Sequence, residues 1–335
     1  MKLAIVGAAG GIGSVLSDFL SENKNFDLFL IDDLSSGKLS NFSSQKNREQ
    51  LVKADFLEID DNLFSDIEVL ILLCATSSLA ECQVRPESAL KSNVITTNKA
   101  IEIAKKFGTR IIFASSSAVY ESNIEIPFKE SHSIKPNLVY SNTKYLSEHL
   151  LESASVTNAI NVIAIRFFNV FGPRQDFQRK NPPLINYLVR EIVNDRKPLL
   201  FSHLNQARDY VYVNDLVLLI NKILLQSFSG YDVINACSGK GLTINDILLV
   251  LEKYFNKKIE VEWGKPEELW RNQKELFEGT NSLDLSRVKN ETLKTSIGDP
   301  TKALTKFGWR TSTTVTEAIY AELDYMVQNY QALTN

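Results

Sequence analysis

The N-terminal stretch Met1-Lys-Leu-Ala-Ile-Val-Gly7-Ala-Ala-Gly10-Gly11-Ile12-Gly13 constrains this chain more than any other part of it. Leu3 to Val6 is apolar at every position, the pattern of a strand buried on both faces. The run breaks at Gly7, and Ser14 to Leu20 then repeats apolar residues at helical spacing. Strand, glycine-rich turn and helix together aim a helix N-terminus, with its unpaired N–H groups and positive dipole end, at a pyrophosphate. The glycines have separable tasks: a tight turn, close approach of backbone to phosphate, and close packing of the helix. Their spacing is G-x-x-G-x-x-G rather than the commoner G-x-G-x-x-G, and an ordinary strand-to-helix turn also explains them when they are taken alone.

The following segments fit a bound dinucleotide. Phe26 to Ile31 reads as a second buried strand, ending in Asp32-Asp33-Leu34-Ser35-Ser36-Gly37. Asp32 lies about twenty residues beyond the glycine turn, where an acid can accept hydrogen bonds from both hydroxyls of an adenosine ribose. A carboxylate there repels a 2′-phosphate, which favours NAD over NADP. The plainer reading is that Asp32 starts a turn. Gln50 to Asp55 is read as a short third strand, with Asp55 placed for the adenine amino group. Glu68 to Ala75 is a fourth strand, followed by Thr76. Pro86 suits the first turn of a helix that runs past Asn93 to a stop at Gly108. Arg110 to Ser115 is a fifth strand, entering the run Ser115-Ser116-Ser117. Strands alternating with helices over short loops predict an α/β fold with a doubly wound parallel sheet of the Rossmann type. Gly7, Asp32, Asp55, Ala75 and Ser115 all fall at carboxyl ends of strands, where such sheets bind ligands.

Tyr140 and Lys144 stand four apart, so on a helix they address one site. A lysine ammonium near a phenol, with the positive nicotinamide ring, lowers a tyrosine pKa from about 10 toward neutrality and makes it a usable general acid or base. A serine hydroxyl at the end of the fifth strand would hold the substrate oxygen beside it. Each element alone is common; their order behind the glycine turn is what gives them weight.

Composition narrows the remaining possibilities. The 335 residues suffice for two lobes, and a net charge of −3 gives no reason to expect nucleic acid or an anionic membrane as partner. The longest apolar run, Val69 to Ala75, is too short to span a bilayer. The N-terminus enters its strand without a signal-peptide core. Three cysteines without a C-x-x-C pair fit free thiols in a reducing compartment, so a cytoplasmic location is expected. His132, His149 and His203 are scattered, so no metal site is expected.

These motifs resemble the extended branch of the short-chain dehydrogenase/reductases, the NAD-dependent nucleotide-sugar epimerases and dehydratases. The matching residues are Gly7, Gly10 and Gly13, the Asp32 to Gly37 turn, Ser115 to Tyr120, and Tyr140-x-x-x-Lys144. Further on come Arg166-Phe-Phe-Asn169-Val-Phe-Gly172-Pro173-Arg174-Gln175, then Arg208 to Asp215, and Asp299-Pro-Thr-Lys302-Ala303 with Phe307-Gly308-Trp309. The resemblance implies Tyr140 as catalytic acid/base, Lys144 as the residue that holds the ribose and tunes the tyrosine, and Ser116 as the catalytic hydroxyl, with Ser117 beside it. It implies NAD contacts over Gly7, Gly10, Gly11, Ile12, Gly13, Asp32, Asp33, Ser35, Ser36, Gly37, Asp55, Phe56, Cys74, Ala75, Thr76 and Asn93. Asn169, Arg174 and Arg208 fall where the family grips the sugar nucleotide; a structural pair with Asp209 or Asp215 is the plainer reading of Arg208. The family's later arginine could be Arg271, Arg287 or Lys289. Ile297 lies near a position whose bulk governs acceptance of N-acetyl sugars.

The implied organisation is an NAD-binding domain over residues 1–170, with segments near 210–237 returning to it, and a smaller mixed α/β substrate lobe over 171–335. Asn214 and Asp215 are read as capping an apolar helix, Leu216 to Leu225. The implied activity is 4-epimerisation of a UDP-hexose through a transient 4-keto intermediate, in a homodimer. A 4-keto-6-deoxyhexose reductase, a 4,6-dehydratase and a non-catalytic NAD-binding regulator remain as alternatives. The dehydratase is disfavoured because Ser116-Ser117-Ala118 stands where dehydratases resemble Thr-Asp-Glu, and these side chains cannot protonate a leaving hydroxyl.

Overall fold

The computed structural model of the chain describes residues 1–202, 205–278 and 282–334, with side chains to residue 329; His203 lies outside them. Seven strands form one parallel sheet: β1 (Lys2–Val6), β2 (Asp27–Asp32), β3 (Val52–Lys53), β4 (Val69–Leu72), β5 (Arg110–Ser116), β6 (Val162–Phe167) and, after an excursion, β10 (Tyr231–Ala236). Their spatial order is β10-β6-β5-β4-β1-β2-β3. β1 lies between β2 and β4, in register Val6 with Ile31 and Val6 with Leu72. That central position explains why its apolar run has no polar face. Between β1 and β4 the strand order reverses, and the crevice of a doubly wound sheet opens at such a point.

Several boundaries differ from the sequence reading for local reasons. The third strand is two residues long, because Ser44 caps a helix at Gln45–Gln50 and Gln50 is helical. The fourth strand ends at Leu72, where the chain peels away: Leu73 and Cys74 both donate their N–H groups to Val6 O, at 2.9 and 3.0 Å. Neither Asn214 nor Asp215 caps the helix Val213–Leu224. Asp215 lies in its first turn, and its carboxylate accepts from Ser312 N and Oγ and Thr313 N, while its carbonyl accepts from Trp309 Nε1 at 2.8 Å. The carboxylate thus anchors the chain's C-terminal part rather than its own helix.

Residues after β7 (Asn169–Phe171) build a second region around helices Leu184–Val193, Ile244–Phe255 and Val315–Thr334. It holds the pair β8 (Leu199–Leu200) with β12 (Glu262–Trp263) and the small sheet β11-β9-β7, where β9 is Ala207–Tyr212 and β11 is Gly241–Thr243. Helix Val213–Leu224 then returns to pack against helix Gly11–Ser21, and β10 extends the large sheet. No described helix is long and apolar enough to cross a membrane.

A buried polar network ties the large sheet to the helix Val139–Asn158. Arg166 on β6 pairs with Glu148 on that helix at 2.7 Å, both side chains under 5% exposed. Ser115 Oγ donates to the same carboxylate, Arg166 Nη1 donates to Tyr120 Oη at 2.7 Å, and Tyr120 donates to Asn235 Oδ1 on β10 at 2.9 Å. Two opposite charges and their hydrogen-bonding neighbours therefore satisfy one another where water is excluded.

A second buried acid has no cation beside it among the described residues. Glu322 Oε1 accepts from Asn186 Nδ2 at 2.5 Å, joining helices Val315–Thr334 and Leu184–Val193, while Glu322 Oε2 and Asn186 Oδ1 have no partner among the described residues. Burial pushes the Glu322 carboxyl up to about 8, so at neutral pH it keeps its proton. Between the ordinary carboxylate range and pH 8 the native state keeps a proton that the unfolded chain has released. Stability therefore falls as pH rises through that window, by about 1.4 kcal/mol per unit for one proton, and levels off above it. Glu322→Gln is uncharged at every pH, so its thermal unfolding between pH 5 and 9 is expected to lose this component of the slope. Parallel profiles for both proteins contradict the assignment.

Candidate active site

The glycine turn separates its three glycines by contact. Gly7 takes φ +87°, and a Cβ there would stand 2.7 Å from Cys74 N. Gly13 packs the first helical turn against the loop so closely that a Cβ would lie 2.0 Å from Gly7 O. Gly10 is the open one, with Gly7 O as its nearest neighbour at 3.4 Å. Helix Gly11–Ser21 begins within the turn, earlier than its apolar periodicity suggests, and no side chain caps it. Its first N–H groups and dipole end are therefore presented to a ligand anion with backbone able to come close. The cradle fits a dinucleotide pyrophosphate. Gly13→Ala is expected to push the helix off the loop, so that the protein purifies without dinucleotide; the absorbance of the acid-released supernatant measures this.

Asp32 ends β2 at 7% exposure, and its carboxylate accepts from Ala9 N at 2.9 Å and Leu34 N at 2.8 Å. The turn-starting reading holds, since it clamps the two loops that border the crevice, and its carboxylate also borders the cavity. Burial raises its pKa, opposed by these backbone donors. Asp33 accepts from Ser35 N and Oγ. Asp55 starts a short turn by accepting from Leu57 N and pairs with Lys91 at 3.3 Å. These acids, with Ser35, Ser36, Gly37, Phe56, Cys74, Ala75 and Thr76, border one cavity of about 1610 Å³ that also takes in Gly7, Gly10, Gly11, Ile12 and Gly13. Asn93 is not among its lining residues. Its amide is spent on other groups: Oδ1 accepts from Thr76 N at 2.9 Å, and Nδ2 donates to Thr76 O and Thr143 Oγ1. It positions the strand end instead of facing a ligand.

At the other side of the crevice the three serines part company. All three border the cavity with Tyr140 and Lys144, but the Ser115 hydroxyl is spent on Glu148. Tyr140 and Lys144 lie on helix Val139–Asn158 as their spacing predicts. Lys144 Nζ donates to Ala114 O at 2.6 Å, which fixes it below the end of β5. The electrostatics of the protein without its cofactor set the starting point. Burial pushes Tyr140 up to about 12, with the Ser116 hydroxyl and Arg179 acting in the opposite direction. Burial pulls Lys144 down to about 8. Taking the phenolate and the ammonium out of water outweighs their neighbours, so the protein by itself keeps Tyr140 protonated.

The basic residues sort by partner. Arg174 is turned to the cofactor helix: it pairs with Asp18 at 2.8 Å and donates to Ser43 Oγ at 2.7 Å. Asn169 lines the cavity and donates to Asp209 O at 2.8 Å. Arg208 also lines it, but its partner is neither Asp209 nor Asp215; Nη2 donates to Glu291 O at 2.6 Å. Asp209 instead collects Ser238, Gly239 and Gly298. Of the three candidates for the later cation, Arg271 borders the cavity over the Phe201 ring, and Arg287 and Lys289 do not. Ile297 is likewise outside the lining, at the place where a side chain on Gly241 would meet it. The sequence reading missed Arg179, Lys180 and Lys294, which line the cavity; the cationic cluster ahead of Pro182-Pro183 was the available signal for the first two.

The cavity exceeds the roughly 300–1,000 Å³ of a pocket for one drug-sized ligand, so it has room for two. Residues 3–237 match the model of the NAD dependent epimerase/dehydratase family. The fold is shared with the UDP-N-acetylglucosamine 4-epimerase of Methanobrevibacter ruminantium M1 in complex with UDP-N-acetylmuramic acid, at TM-score 0.85 and 26% identity over 98% of each chain. The UDP-glucose 4-epimerase of Thermotoga maritima with UDP-glucose gives TM-score 0.85 and 25% identity, over 98% of this chain and 100% of that one. The same figures hold for the UDP-glucuronic acid 4-epimerase of Bacillus cereus in complex with UDP-glucuronic acid and NAD.

Proposed function

The chain belongs to the NAD-dependent epimerase/dehydratase family, and from that premise we propose that it inverts C4 of a UDP-linked hexose skeleton. The observation that carries the proposal is the meeting of Ser116, Tyr140 and Lys144 in one cavity with the open glycine turn. Bound NAD supplies a hydride acceptor and a positive ring. Tyr140 accepts the proton of the C4 hydroxyl as that carbon is oxidised, and returns it when the 4-keto sugar has turned over. Ser116 donates a hydrogen bond to the same oxygen. Lys144, near neutrality in its ionisation, holds the ribose and adds positive charge that favours the phenolate. Asp32 accepts from the adenosine ribose, and Asn169, Arg208 and Arg271 hold the nucleotide end of the substrate, where guanidinium forks match phosphate oxygens. Internal redox needs no second reductant, which separates this reading from the reductase. The pair of helices Pro86–Leu90 and Val139–Asn158, which pack on each other and expose Leu90, Tyr145 and Leu146, is the face a second copy would cover; sedimentation tests the dimer.

The test of activity is to release cofactor by denaturation, then offer UDP-, GDP-, CDP- and dTDP-sugars to the native protein without added nicotinamide. Retained NAD and conversion of a UDP-sugar to its C4 epimer are expected. Turnover only of a 4-keto sugar with added NADH or NADPH transfers the protein to the reductases.

A further inference from the structure

The cavity holds more positive charge than a diphosphate alone requires. Arg208 and Lys294 share Glu291, Lys294 Nζ reaching its Oε2 at 2.6 Å. Arg174 is closed off by Asp18. Arg179 differs from all three. It comes from the loop between β7 and helix Leu184–Val193, and that loop is pinned: Asp176 pairs with Lys38 at 3.2 Å, Lys180 Nζ donates to Gln273 Oε1 at 3.0 Å, and Arg190 Nη1 donates to Arg179 O at 3.3 Å. Arg179 lines the cavity half-buried, and its Nε donates to Asn181 O at 2.8 Å. Among the described residues the guanidinium has no ion pair, and both Nη groups, the fork that grips a carboxylate bidentately, are unused. Burial pulls it below its ordinary value, while Asp176, Glu81 and the Tyr140 phenol act on it from longer range in the other direction. Arg179 and Tyr140 line the same cavity, and each acts electrostatically on the other. A half-buried guanidinium without a counter-ion is costly, and a ligand carboxylate offsets that cost.

We infer that Arg179 is a specificity-determining residue that binds a carboxylate on the sugar ring, so that the substrate is a nucleotide-linked uronic acid in preference to a neutral hexose. The inference rests on the C4 reading above. With the C4 hydroxyl at Tyr140, the substituent on C5 is one carbon away: a carboxylate in a uronic acid, a hydroxymethyl group in a neutral hexose. A neutral sugar leaves the fork unpaired, and sites built for a polar group strongly reject the analogue that lacks it.

Binding tests this apart from turnover. Calorimetry on the NAD-loaded Tyr140→Phe protein compares UDP-glucuronate, UDP-glucose and UDP. The expected result is at least a 100-fold preference for UDP-glucuronate over UDP-glucose, collapsing to within about 5-fold in Tyr140→Phe/Arg179→Gln, with UDP affinity unchanged. Equal affinity for the two sugars in Tyr140→Phe overturns the inference, and so does a preference that survives in the double variant. A parallel loss of UDP affinity also overturns it, since the arginine is then structural. If the wild-type protein epimerises no UDP-sugar, the C4 reading fails, while the affinity ratio still reports on Arg179.

Discussion

Tyr140→Phe is expected to lower kcat for C4 epimerisation by 10²–10⁴-fold, the range that a positioned acid/base supplies, with bound NAD and nucleotide affinity retained. The ring stays and only the oxygen goes, so packing against the cavity wall is preserved. Removing the proton acceptor leaves Ser116 able to orient the C4 oxygen but unable to take its proton into a useful sink. The protonated resting state sharpens the expectation: since burial pushes Tyr140 up to about 12, the phenol becomes an effective base only when Lys144 and the nicotinamide charge act on it together. Progress curves with a UDP-sugar and assay of bound NAD measure both halves of the prediction. Turnover within 10-fold of wild type would remove Tyr140 from the chemistry and revive the non-catalytic regulator.

Arg166→Met is expected to destabilise the protein by about 3–5 kcal/mol, because it strands the Glu148 carboxylate in a site without water. At about 2.1 cal/mol/K per residue, that lowers Tm by roughly 4–7 °C. Tyr120 loses its donor from Arg166 at the same time. Arg166→Met/Glu148→Leu removes both charges and is expected to recover part of the loss, since a buried pair replaced by apolar groups of similar size is often neutral. Thermal unfolding of the two variants decides it. A single variant within 1 kcal/mol of wild type, or a double variant worse than the sum of its parts, contradicts the account.

The legible part of this protein is local. A strand with no polar face, a turn of small residues and a helix follow from side chains adjacent in sequence, so β1, Gly7 and Gly13 can be read from the amino acids alone. The helical face shared by Tyr140 and Lys144 is equally a matter of four residues. Where a side chain's role depends on a partner far along the chain, its type is informative and its task is not. Arg174 has the sequence context of a substrate contact, yet its carboxylate is Asp18, 156 residues away. Asn93 has that of a cofactor contact, yet its amide is consumed by Thr76 and Thr143. The serine run offers three hydroxyls, and Glu148, 33 residues from Ser115, removes the first.

By itself the sequence determined the sheet type, the dinucleotide turn and the family, because these are set by backbone conformation and by spacing along one strand or helix. Only the tertiary structure decided which polar groups are free to meet a ligand. A charge keeps its chemistry for substrate only if folding leaves it without a partner, and that depends on what the fold brings beside it: Asp18 occupies Arg174, and Arg179 is left facing the cavity.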